Sequence, residues 1–172
     1  MAARQGPGRS TGLASLADAA AGPARCQGAG RLAGPQLPGT PMPTVTLLTD
    51  DQLSPEAAAV FADIRATRGS DFINNFWRAL AHDPVLLART WSQLKQVMGP
   101  GHLPPQVKEM LYLAVSIAHG CEYCIHSHTA AARAKGMTEP ELMELIAIVG
   151  MAAQTNRMVT GLGVPVDAAF VL

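Results

Sequence analysis

From Ser54 onward the apolar positions recur at intervals of three and four, the spacing of one face of an α-helix. Ser54-Pro55-Glu56 combines an N-cap, a proline at the first helical position and an acid in the first turn. Ala57, Val60, Phe61 and Ile64 then follow at helical spacing as far as Gly69. Asp71 is a candidate cap for a second helix carrying Phe72, Phe76 and Leu80. Asp83-Pro84 repeats the cap-and-proline signal ahead of Leu87, Trp91, Leu94 and Met98, and Gly99-Pro100-Gly101 ends that helix.

Pro104-Pro105 opens a further helix with the predicted apolar face Val107, Met110, Leu111, Ala114, Ile117 and Ala118, and Gly120 fits its C-terminal cap. Another helix is predicted from about Cys121 to Lys135, ending at Gly136. Thr138 and Glu141 form a capping box ahead of the apolar positions Leu142 to Met151, and a last helical stretch reaches about Gly161. The only candidate strand is the short run Val45–Leu48. The pattern predicts an all-α domain of six or seven modest helices.

Composition divides the chain. Residues 1–41 hold ten Ala, eight Gly and five Pro, and all eight aromatic residues lie beyond Met42. A segment so poor in large apolar groups cannot offset the entropy of ordering its backbone. It is read as a disordered extension, with residues 42–172 as the folded domain. A targeting peptide is the alternative, on Arg4, Arg9 and the small residues Leu13–Ala21, although Asp18 interrupts that stretch. A start at Met42 is a third reading. Cys26 falls in this segment and has no assigned role.

Charge narrows the classes of function. Thirteen Lys and Arg balance thirteen Asp and Glu, so the basic footprint of a nucleic-acid binder is missing. No apolar run approaches the roughly 18 residues of a membrane span. Three cysteines are too few for a disulfide scaffold. Two of them form Cys121-Glu122-Tyr123-Cys124, with His128 four residues beyond, a pattern that fits redox or metal chemistry in a reducing, cytoplasmic setting.

On a helix, positions 121, 124, 125 and 128 share one face, while His126 points elsewhere. Three features favour a reactive thiol. The cysteines open a helix, where unpaired N–H groups and the macrodipole stabilise a thiolate. His128 lies one turn from Cys124, in reach of a thiol proton directly or through water. Helical residues three apart have Cα atoms about 5 Å from each other, inside the usual disulfide range. Glu109 sits on an otherwise apolar helix. It either meets a His or a thiol–water chain of the next helix, or it pairs with solvent or Lys108 near the first turn.

Glu109, eleven residues, then Cys-x-x-Cys-x-x-x-His resembles the core of the AhpD-like proteins of the carboxymuconolactone decarboxylase superfamily. Asn75 through Met98, His128 to Gly136 and Ala153 to Asn156 are also similar to that family, and about 120 residues are covered. The resemblance implies a helical homo-oligomer and a peroxidase without haem, flavin or metal. By position it implies Cys124 as the peroxidatic thiol, Cys121 as the resolving thiol, and His128 with Glu109 as a proton relay. It further implies a small hydroperoxide substrate and a lipoyl or thioredoxin-like dithiol reductant. Tyr123 stands where the best-known peroxidases of the family carry a His.

Other readings stand beside it. Cys121, Cys124, His128 and Glu109 would be candidate zinc ligands, though no second Cys/His pair completes a usual structural site. Covalent haem needs C-x-x-C-H, and Ile125 occupies the His position. The superfamily's decarboxylase branch generally lacks the cysteine pair. A non-enzymatic redox-sensing scaffold would use the dithiol as a switch. His82, His102, His119 and His126 are read as helix-end or solvated residues. Trp77 and Trp91 are read as core or interface packing, or as the lining of an apolar entrance.

Overall fold

The computed structural model describes residues 43–171, and the expectations for residues 1–41 lie outside them. Six helices follow in order: α1 (Pro55–Arg68), α2 (Asn75–Leu80), α3 (Pro84–Met98), α4 (Pro105–His119), α5 (Glu122–Ala134) and α6 (Glu139–Leu162). Short 3₁₀ turns stand at Asp50–Gln52 and Ala168–Phe170, and no strand occurs among the described residues. The fold is all-α.

The expected caps are largely the ones used. Ser54 accepts from the Ala57 N–H, Asp83 from those of Val85 and Leu86, and Thr138 forms its capping box with Glu141. Gly69 and Gly120 close α1 and α4 in the left-handed conformation.

Four expectations are corrected. Asp71 caps nothing: α2 begins later, with Asn74 at its N-cap, and Phe72 lies in the preceding loop. Val45–Leu48 is not a strand, since its one backbone link to a neighbouring element runs from Leu48 to the Arg78 carbonyl at α2. The last helical stretch is not separate, because α6 runs unbroken for 24 residues.

The fourth correction concerns α4. Its buried positions are Glu109, Leu113 and Ser116, whereas Leu111 and Ala118, expected inside, are exposed. The helix turns that way because Glu109 finds its partners on and just beyond α5, and a carboxylate is buried only where it is paired. Met110, Ala114 and Ile117 flank the stripe and pack half-buried.

Two apolar clusters carry the packing. Ala57, Phe61, Ile64, Ile73, Trp77, Ala81, Leu87 and Trp91 join α1, α2 and α3, with the Trp77 and Trp91 rings edge to face at 5.5 Å. Leu113, Ala132, Met137 and Leu145 join α4, α5 and α6. Lys108 links the two, donating from Nζ to the Val97 and Gly99 carbonyls at 2.7 and 2.6 Å.

Candidate active site

The α4–α5 junction is a turn of minimal length. At the end of α4 the Gly120 N–H reaches the Ile117 carbonyl and the Cys121 N–H reaches that of Ser116, a Schellman-type closure. Cys121 is already the N-cap of α5, and its own carbonyl accepts from the Ile125 N–H at 2.9 Å. One residue thus ends one helix and starts the next, which puts Cys124 in the first turn of α5 and His128 one turn further on. Both thiols are free and half-buried.

Burial pushes the Cys124 thiol up, and its proximity to Cys121 adds to this, to about 11. Cys121 moves the other way. The Cys124 thiol, as a proton donor, and behind it the Cys124 backbone N–H hold Cys121 below the ordinary thiol range. The thiolate expected at the helix start is therefore favoured at Cys121 and not at Cys124. The pair gives up its first proton from Cys121 and keeps its second on Cys124.

Of the two readings of Glu109, the histidine partner is the one observed. Glu109 Oε2 lies 2.7 Å from His128 Nδ1, and Oε1 accepts from Lys135 Nζ at 2.9 Å. Lys108 is occupied elsewhere, as described above. Burial would raise the Glu109 carboxyl, but the hydrogen bonds from His128 and Lys135 outweigh it and hold the group below the usual range. An ionised carboxylate can only accept, so Nδ1 carries the proton toward it and Nε2 is the ring nitrogen left free of Glu109. Tyr112 stacks on that ring at 3.7 Å, tilted by 20°. Burial first, then the negative charge of the two cysteines and Glu109, raises the Tyr112 phenol above its usual value.

Cys124, His128 and Glu109 line one cavity of about 380 Å³ at the seam between the two clusters. Its walls include Phe72, Phe76, Trp77, Tyr112 and Tyr123, with Arg68 from the end of α1 and Asn74 from the N-cap of α2. The Tyr123 hydroxyl spans the seam, accepting from the Phe76 N–H at 3.3 Å. Trp77 serves in both capacities considered from sequence, as core residue and as cavity wall, while Trp91 stays in the core and donates to Asp63 at 2.6 Å. Cys121 does not line the cavity, and His126 is exposed. Among the described residues no three His, Cys, Asp or Glu side chains are arranged to hold a metal ion.

Sequence reasoning missed Lys135, Tyr112 and Arg68. Lys135 stands seven residues after His128, two turns along the same face, a spacing that could have signalled it. Tyr112 and Arg68 carried no local signal.

Residues 86–167 match the sequence profile of the carboxymuconolactone decarboxylase family. An uncharacterized protein of Cupriavidus necator is 31% identical over 77 residues, spanning 44% of this chain and 68% of that protein. The crystal structure of the alkylhydroperoxidase AhpD core from Rhodospirillum rubrum superposes with a TM-score of 0.74 at 61% identity, covering 77% of this chain and 99% of that one. The chain belongs to the carboxymuconolactone decarboxylase family. Within that family it is an AhpD-like member. The profile match runs from within α3 into the segment after α6, a span that contains Glu109, Cys121, Cys124 and His128.

Proposed function

We propose that this protein is a thiol-dependent peroxidase that reduces organic hydroperoxides through a Cys121/Cys124 dithiol–disulfide cycle, with residues 42–172 as its working domain. The observation that carries the reading is a single cavity lined by a thiol, Cys124, and by a histidine, His128, whose Nδ1 is fixed by a buried carboxylate. The alkylhydroperoxidase named for the Rhodospirillum rubrum structure supports it.

The steps balance as follows. Cys124 loses its proton to His128 Nε2 or to the Cys121 thiolate and attacks the outer peroxide oxygen. The O–O bond breaks, the alkoxide takes a proton through His128 and leaves as an alcohol, and Cys124 becomes a sulfenic acid. The Cys121 thiol condenses with it, forming the disulfide and releasing water. A lipoyl or thioredoxin-like dithiol then restores the two thiols by exchange. Glu109 and Lys135 hold the imidazole in the tautomer that the cycle needs. Such a cycle works in a reducing compartment such as the cytoplasm.

Homo-oligomer formation belongs to the same reading. Ile148, Met151, Met158, Val159, Leu162, Val164, Val166, Phe170 and Val171 are all at least half exposed along α6 and the segment after it. That is more contiguous apolar surface than a single copy ordinarily leaves to water.

Two variants test the chemistry. Cys124→Ser abolishes hydroperoxide turnover, and His128→Gln lowers kcat/KM by about 10²-fold with the fold retained. Turnover of wild-type size in Cys124→Ser contradicts the proposal.

A further inference from the structure

Arg68 is the last residue of α1 and lines the cavity, where the Glu109 charge acts on it only as a secondary influence. Its Nη1 donates to the Asn74 side-chain oxygen, and its guanidinium carbon stands 5.8 Å from the Trp77 ring centroid and 5.4 Å from that of Trp91. Among the described residues Arg68 makes no ion pair, whereas Arg65 and Arg78 pair with Asp50 and Arg133 with Glu139. The cavity's own carboxylate, Glu109, is engaged by His128 and Lys135.

A guanidinium has five N–H donors, and one neutral acceptor does not exhaust them. Contact with the indole faces strips part of its hydration, and this desolvation lowers its pKa from the ordinary guanidinium value. An anion meeting the fork there gains a paired, two-pronged contact. The wall also carries the aromatic side chains of Phe72, Phe76 and Trp77, with Phe72 and Phe76 exposed at 68% and 45%. Hydrogen peroxide or a small neutral peroxide uses neither feature. A molecule with a hydrocarbon body and an anionic end uses both.

We propose that Arg68 selects organic hydroperoxides that carry a carboxylate, binding that carboxylate at the end of α1 while the aromatic side chains of the cavity cover the hydrocarbon. This rests on the peroxidase reading above. Arg68 is a specificity residue here, with no part in the proton relay.

The test compares a hydroperoxydecanoate with its methyl ester, which differ in the charge at one end. In the wild-type protein kcat/KM for the acid exceeds that for the ester by about ten-fold or more. In Arg68→Gln that ratio falls to near one, and Arg68→Lys, which keeps the charge without the fork, lies between. A wild-type ratio near one overturns the proposal, and so does a ratio that Arg68→Gln leaves in place.

Binding of decanoate and methyl decanoate, followed by tryptophan fluorescence, separates this claim from the peroxidase reading. If neither hydroperoxide oxidises the thiols, the peroxidase reading fails. Decanoate binding that is lost in Arg68→Gln would still support the carboxylate site. Equal binding by both forms, or by both proteins, would overturn it.

Discussion

At the scale of single residues, the site turns on how Glu109 is satisfied. Its two oxygens are divided between a ring nitrogen that must keep its tautomer and an ammonium that keeps the carboxyl ionised. The folded-state pKa lies below the ordinary value of 4.5, so the group stabilises the fold above that value, and the contribution is lost as pH falls through the depressed one. In urea titrations at a series of pH values, the wild-type protein loses stability on the acid side of pH 4.5, and Glu109→Gln flattens that slope. An unchanged slope would mean that the pairing contributes nothing measurable. The thiols were the less readable part. A C-x-x-C at a helix start suggests a stabilised thiolate but not which sulfur carries it, and burial of one and its donation toward the other drive the two apart. That division depends on which sulfur faces the cavity, and no spacing rule carries it.

At the scale of elements, the short α4–α5 junction is what sets Cys124 on the same cavity as Glu109. Gly120 adopts φ 67°, and a Cβ there would meet no atom within 4 Å, so the cost of a side chain is purely that of the left-handed backbone. Gly120→Ala therefore lowers stability by about 1–2 kcal/mol. Gly150 lies inside α6, also with open space around its Cα, so Gly150→Ala raises stability by about 0.5–1 kcal/mol. Chemical denaturation of the two variants checks the pair, and equal effects would contradict this reading of the junction. Helix ends of this kind were open to sequence reasoning, because Ser54, Asp83, Thr138 and the closing glycines act through their own backbone neighbours. The face of α4 was not. Counting apolar residues turned Leu111 and Ala118 inward, whereas the paired Glu109 carboxylate and the α5 packing choose Leu113 and Ser116. A tertiary partner overrides the periodicity there.

At the scale of the molecule, two apolar clusters meet along a seam, and the seam holds the cavity. Sequence reasoning named the four residues of the motif and offered Trp77 as a lining residue, but not Arg68 or Phe72, which lie roughly 50 positions before the thiols in the chain. Beyond Val149, α6 makes little contact with the rest of the described residues, and its exposed apolar side is suited to a second copy of the chain. Sedimentation at micromolar concentration gives a mass that is a multiple of 18.0 kDa, and Leu162→Glu shifts it toward the monomer. Wild-type protein sedimenting at 18.0 kDa would contradict the oligomer. Among the described residues no helix is long and apolar enough to cross a membrane.

The central claim is that Cys121 and Cys124 form one redox device facing a hydroperoxide cavity. Intact mass and thiol counting on the fully reduced chain, before and after one equivalent of an organic hydroperoxide, test it most directly. The account predicts rapid loss of two thiols and about 2 Da, mapped by peptide analysis to a Cys121–Cys124 disulfide, with Cys26 still free. Thiols that remain unreacted, or oxidation that stops at a single cysteine without forming the disulfide, would contradict it.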